Sequence, residues 1–183
     1  MKNLRHELSK LNNLSSAKDI EIAFDSIAEL LLDNCRIRKG ASTYQILEIE
    51  FYFFNDNHPD KVAYPRTETS GRWFLHESGV DITFNSNEEQ NFWGGILIRS
   101  IREEDSLACI FGPRNCLWEL FDNEALSPNT IYPYIELNNA PSCSSEIKKR
   151  ERYHVKGDFS TKKYRYYIAG IIAKKYPASP WKD

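Results

Sequence analysis

Two glutamates lie within an apolar stretch, ILEIEFYFFNDNHPD at residues 46–60, that otherwise has the composition of a buried β-strand. Because strand side chains alternate between faces, Glu48, Glu50 and Tyr52 share one face, with neighbours about 7 Å apart in a regular strand. A carboxylate in such a row can activate water or stabilise a developing positive charge, and a nearby arginine would offset the repulsion between the two acids. The competing interpretation is a structural ion pair.

The elements that must position this row follow from hydrophobic periodicity. Together they predict one α+β domain over residues 1–183, with a curved mixed or antiparallel sheet flanked by helices and a flexible segment at residues 1–18. We expect this domain to be a monomer. The patterns predict helices at residues 19–34, capped by Asp19, and 115–126, and β segments at residues 45–54, 71–85, 94–100 and within 164–176.

Charge is distributed unevenly along the chain, although its formal net charge is only −2. Residues 147–183 contain 11 lysines and arginines against 3 acids, a net charge of +8, which leaves −10 for residues 1–146. A basic end of this kind is either a solvated surface or an electrostatic footprint for a phosphate backbone.

The sequence argues against membrane and metal-binding classes. No apolar run approaches the length of a membrane span, and the first ten residues lack the apolar segment of a secretory signal, so we expect a cytoplasmic protein without membrane contact. The four cysteines form no CxxC pair and have no histidines at zinc-finger spacing. Free thiols and no metal site are therefore expected at Cys35, Cys109, Cys116 and Cys143.

Eight short motifs follow one another between residues 28 and 181. In order they are EIEFY, a downstream histidine, YPR, GVDITFN, ILIRSI, FGP, YRYYIAG and SPW. Their order resembles that of the motifs in the alkyladenine (3-methyladenine) DNA glycosylase family. The resemblance implies a glycosylase-like fold without a cofactor. It also implies base-excision repair, in which an alkylated or deaminated purine is flipped out of damaged DNA and its N-glycosidic bond is hydrolysed.

The resemblance also implies roles for individual residues. Glu50 matches the glutamate that activates water, and Arg99 matches the arginine that helps to position that water. The base pocket would consist of Tyr52 as a stacking wall, His58, Leu75 as an apolar wall and Asn85, which would screen purine substituents. The basic end would supply the DNA surface through Lys148, Lys149, Arg150, Arg152, Lys162 and Lys163.

Two positions depart from the family's pattern. Leu75 stands where the family has a second stacking tyrosine, and Ser78 stands where it has a bulky wedge that fills the gap left by the flipped nucleotide. Extrusion of the nucleotide from the DNA duplex would then depend on another side chain, such as His76, or on DNA that is already distorted. Two alternatives follow: a catalytically inactive glycosylase-like fold that binds a nucleobase, nucleic acid or protein, and a glycosidase or nucleosidase acting on a small molecule.

Overall fold

The strand that carries the two glutamates is the central element of the fold. The computed structural model describes residues 4–11, 14, 16–66, 69–121, 132–138 and 146–171, and in it this strand is β2 (Ser42–Asn55). One edge of β2 pairs with β6 (Trp93–Glu103) from Tyr44 to Phe54. The other edge pairs in turn with β1 (Cys35–Lys39), β10 (Arg165–Ile168) and β3 (His58–Pro59).

The remaining strands extend the sheet on both sides, and every strand pairing described is antiparallel. β5 (Gly79–Thr83) and β7 (Cys109–Phe111) pair with β6, and β4 (Trp73–His76) pairs with β5. Beyond β2, β8 (Tyr134–Leu137) pairs with β1, and β9 (Ile147–Arg150) pairs with β10. The sheet curls into a half-barrel, which confirms the predicted α+β class with a curved sheet.

Helix α2 (Ala17–Asp33) covers the apolar face of the sheet and confirms the helix predicted at residues 19–34. Phe24 of α2 stacks on Phe51 of β2 with 4.3 Å between ring centroids, and both side chains are fully buried. The cap is Ser16 rather than Asp19, since the Ser16 hydroxyl accepts a hydrogen bond from the Asp19 amide at 3.1 Å.

The first helix lies within the segment that the sequence predicts to be flexible. Residues 4–10 form α1 (Leu4–Lys10), and Leu8 and Leu11 have no exposed surface. Leu4, Leu8 and Leu11 have the spacing of one helix face, which is the signal that the sequence interpretation missed.

Helix α3 (Pro113–Leu120) packs against β5 and β6 and begins after Gly112, whose φ of 95° suits a glycine. It covers the first part of the helix predicted at residues 115–126, and residues 122–126 lie outside the described residues. No helix in the described part of the chain is long and apolar enough to cross a membrane.

The described cysteines are free thiols: Cys35, Cys109 and Cys116. Burial raises the pKa of Cys35 and of Cys116 to about 12, so both stay protonated at neutral pH. Cys143 lies outside the described residues.

Candidate active site

Irregular pairing brings polar side chains of β2 and β6 together. The register between these strands skips Leu47 on β2 and Arg99 on β6, so each is an extra residue in its strand. An extra residue bends a strand and re-aims the side chains next to it. As a result, Arg99 contacts Glu50 and the adjacent Ser100 contacts Glu48, although successive residues of a regular strand point to opposite faces.

Glu50 is completely buried and accepts three hydrogen bonds from described residues. Its Oε2 accepts from the Tyr52 hydroxyl at 2.8 Å and from Nη1 of Arg99 at 3.1 Å. Its Oε1 accepts from the Tyr153 amide at 2.8 Å and lies 3.8 Å from Nε of Arg165. A carboxylate has about four acceptor positions. The described residues therefore leave about one position for a water molecule.

Glu48 is the second buried acid of this face. Its Oε2 accepts a hydrogen bond from the Ser100 hydroxyl at 2.9 Å. Its Oε1 accepts from Nε of Arg165 at 2.6 Å and from Nη2 of Arg150 at 3.2 Å. Arg165 thus lies between the two glutamates and links them electrostatically.

These residues form an arginine-carboxylate cluster, defined as Glu48, Glu50, Arg99, Arg150 and Arg165. Two carboxylates against three guanidinium groups leave one positive charge in excess. Arg150 is its most accessible cation, with 34% of the side chain exposed. The Arg150 guanidinium also lies 4.6 Å from the centroid of the Tyr167 ring.

A buried ion pair supports the cluster from the side of Tyr52. Arg152 donates to both carboxylate oxygens of Asp60, at 2.6 and 3.1 Å, and neither side chain has exposed surface. The Arg152 guanidinium lies 4.7 Å from the centroid of the Tyr52 ring. Burial and the charge of Glu50 raise the pKa of Tyr52 well above its usual range, so the hydroxyl keeps the proton that it donates to Glu50.

The turn that follows β9 contacts the cluster through Tyr153. The Tyr153 amide donates to Glu50, and the Tyr153 ring lies 5.2 Å from the Arg99 guanidinium and 5.8 Å from that of Arg165. His154, the next residue, has a φ of 57°, which is uncommon for a residue other than glycine. Uncommon backbone conformations of this kind concentrate at functional sites.

The chain is similar to a viral protein that is named as uncharacterized. This protein, L759 of Acanthamoeba polyphaga mimivirus, is 24% identical over an alignment of 183 positions, which covers 87% of this chain and 82% of the viral protein. No family model matches the chain.

The structure does not bring His58 to Glu50. The His58 ring packs against Phe24 and Phe53 on the apolar face of the sheet, whereas Glu50 points to the other face. Nδ1 of His58 donates to the carbonyl oxygen of Phe53 at 2.9 Å, and Nε2 lies 2.9 Å from the Tyr164 hydroxyl. Burial lowers the pKa of His58 below its ordinary value, because the charged imidazolium is poorly solvated there.

This lowered pKa predicts a dependence of stability on pH. The unfolded chain binds a proton at His58 near pH 6.5 and the folded chain only at lower pH, so the free energy of unfolding should fall as pH drops below about 6.5. Urea unfolding at pH 7.5 and 5.5 measures the loss. His58→Gln should reduce it, whereas His154→Gln, at an exposed position, should not. An equal loss in the parent and in His58→Gln would contradict this assignment.

Leu75 and Asn85 make no contact with Glu50 among the described residues. Leu75 pairs with Val80, which is a core residue, so Leu75 points away from the Glu50 face. Its neighbour Phe74 shares the Glu50 face instead. Asn85 accepts a hydrogen bond from the Ser70 amide at 2.9 Å and closes a loop after β5.

The predicted DNA-binding residues divide between the two faces of the sheet. On β9, Lys148 and Arg150 point to the Glu50 face, while Lys149 points to α2 and pairs with Asp25 at 2.8 Å. Lys162 also reaches α2, where it pairs with Glu21 at 2.9 Å. Lys163 is exposed, whereas the complete burial of Arg152 prevents it from contacting a phosphate.

Proposed function

We propose that the chain is a DNA glycosylase that hydrolyses the N-glycosidic bond of an alkylated or deaminated purine, with Glu50 activating the attacking water. The observation that carries this proposal is the contact of buried Glu50 with Arg99 and Tyr52 beside the irregular pairing of β2 and β6. Together with the Tyr153 amide, these donors fix the orientation of the carboxylate, and the described residues leave about one acceptor position for water. The motif order that resembles the alkyladenine glycosylases supports the same chemistry.

In the proposed reaction, Glu50 takes a proton from water as the water oxygen forms a bond to C1′ of the sugar. The bond between C1′ and the purine nitrogen breaks, and its electron pair leaves with the base. The charge of Glu50 stabilises the oxocarbenium-like transition state, and Arg99 holds the carboxylate in position. Because Glu50 has no exposed surface, substrate entry requires movement of the groups that cover it, and the Tyr153 amide is one of the groups in contact with it.

The test is an excision assay on oligonucleotides that carry hypoxanthine, ethenoadenine or 3-methyladenine. We expect at least one of the three oligonucleotides to yield abasic sites, detected by strand cleavage in alkali. We further propose that the enzyme acts as a monomer in the cytoplasm. Folded protein that forms no abasic site on any of them would contradict the proposal.

A protein that binds nucleic acid without hydrolysis is the second candidate. It is favoured by the occupation of most acceptor positions of Glu50, and by Ser78, which is too small to fill the gap left by a flipped nucleotide. Retention of the same oligonucleotides without abasic-site formation would support this candidate over the glycosylase.

Two adjacent lysines provide a matched test of which face contacts DNA. If DNA lies on the Glu50 face, Lys148→Gln should weaken binding and reduce the slope of log affinity against log salt by about 0.9, the value for one phosphate contact. Lys149→Gln should leave that slope unchanged, because Lys149 points to α2. Titrations between 50 and 200 mM salt measure both slopes. A larger effect of Lys149→Gln would show that DNA binds on the opposite face.

A further inference from the structure

Three aromatic rings meet on the Glu50 face near the edge of the sheet. Tyr64 precedes the proline of the YPR motif, and Phe74 and His76 are alternate residues of β4. The three ring centroids are 6.0 to 6.3 Å apart, which is the range of packed aromatic pairs. Tyr64 remains 41% exposed, so part of its ring is open to a ligand.

A buried ion pair fixes these rings from behind. Arg66 donates through Nε and Nη2 to Oδ2 of Asp81, at 3.0 and 2.5 Å, and both side chains are 98% buried. The Arg66 guanidinium also lies 4.1 Å from the centroid of the Tyr64 ring and so occupies one face of that ring. A planar ligand would therefore have to stack on the opposite face of the Tyr64 ring.

His76 adds a hydrogen-bonding group beside the rings. Its Nε2 donates to Oδ1 of Asp81 at 3.3 Å, which orients the imidazole. The other nitrogen, Nδ1, has no protein partner within the described residues. The His76 ring stands at 81° to the Tyr64 ring and therefore forms a side wall rather than a second stacking surface.

The distance between Asp81, beside the three rings, and Glu50 suits a nucleoside. Asp81 pairs with Leu97 across β5 and β6, and Leu97 pairs with Glu50 across β6 and β2, so all three lie in one row. Two strand spacings separate Asp81 from Glu50 by about 10 Å. A nucleoside whose base contacts the rings beside Asp81 can therefore direct its sugar toward Glu50.

We infer that Tyr64, Phe74 and His76 form a binding site for a purine base, which stacks on Tyr64 and hydrogen-bonds to Nδ1 of His76. The identity of the ligand rests on the proposed function, whereas the geometry of the rings does not depend on it. This assigns the wall of the base pocket to Tyr64 and Phe74 in place of Leu75, the predicted apolar wall, which lies on the other face.

The test uses 1,N6-ethenoadenosine, a fluorescent purine nucleoside, as the probe. We expect saturable quenching with the parent protein and a dissociation constant at least about fivefold higher with Tyr64→Leu, because stacking of one base on one ring contributes about 5- to 150-fold. Trp118→Leu is the matched control, since Trp118 is an exposed aromatic on α3 that makes no ring contact with Tyr64, Phe74 or His76 among the described residues. It should leave the constant unchanged.

Several outcomes would overturn the inference: no saturable quenching, a constant unaffected by Tyr64→Leu, or an equal effect of Trp118→Leu. Aromatic NMR signals of the parent protein give an answer even when Tyr64→Leu does not fold. Signals of Tyr64, Phe74 and His76 should shift on addition of the probe, and shifts confined to other rings would overturn the assignment.

The excision assay distinguishes failure of this inference from failure of the proposed function. If the probe binds in a way that requires Tyr64 but no abasic sites form, the base site is supported and the proposed glycosylase activity is contradicted. If abasic sites form but the probe affinity does not depend on Tyr64, the glycosylase activity is supported and the inferred base site is contradicted.

Discussion

Asp60→Asn should lower the free energy of unfolding by about 3–5 kcal/mol, the range found when one partner of a buried ion pair is removed. Arg152 would keep its charge with no exposed surface and lose its only carboxylate partner among the described residues. Its remaining contacts, with the Phe51 carbonyl and the Tyr52 ring, do not neutralise that charge. Because domains have only about 5–15 kcal/mol of stability, urea unfolding should reveal the loss clearly.

A double-mutant cycle separates the ion pair from packing. Asp60→Asn combined with Arg152→Met should cost less than the sum of the single changes, because the double variant leaves no unpaired buried charge. Lys148→Gln is the exposed control, since its pair with Glu146 is more than half exposed on both sides and should contribute at most about 1 kcal/mol. A loss below 1 kcal/mol for Asp60→Asn would show that water reaches Arg152 in solution.

The features that the sequence predicted best depend on short-range periodicity. Alternation within residues 46–54 was enough to predict that Glu48 and Glu50 share one face, and helical spacing was enough to predict α2. Arg165 on β10 and Asp81 on β5 show the same pattern, because each is a charged residue within a mostly apolar strand. Their buried partners were missed because the sequence does not state which strands become neighbours.

The features that the sequence did not predict depend on register and on tertiary contacts. Phe74 rather than Leu75 points to the face of the sheet that carries Glu50, because a shift of one residue exchanges the two faces of a strand. The contact of Arg99 with Glu50 and of Ser100 with Glu48 requires an irregular register that neither strand shows alone. His58 follows a turn that returns it to the apolar face, so its distance in sequence from Tyr52 does not reveal its position.

Glu50→Gln should reduce excision by at least about 10²-fold, the usual minimum effect of losing a general base. Glutamine keeps the volume and one acceptor oxygen for Tyr52, but it cannot take a proton from water or stabilise a positive sugar. Binding of the lesion oligonucleotide should persist, since the phosphate-contacting residues are unchanged. Excision under single-turnover conditions, corrected for the folded fraction, measures the chemical step.

The control for this variant must lie outside the arginine-carboxylate cluster. Glu48→Gln does not qualify, because Glu48 shares Arg165 with Glu50 and its replacement alters the field at both sites. Glu136→Gln on β8 does qualify, since Glu136 is a partly exposed strand residue paired only with Arg38 among described residues. If Glu50→Gln lowers stability but excises as fast per folded molecule as Glu136→Gln, the buried carboxylate has a structural role and water must be activated by another group.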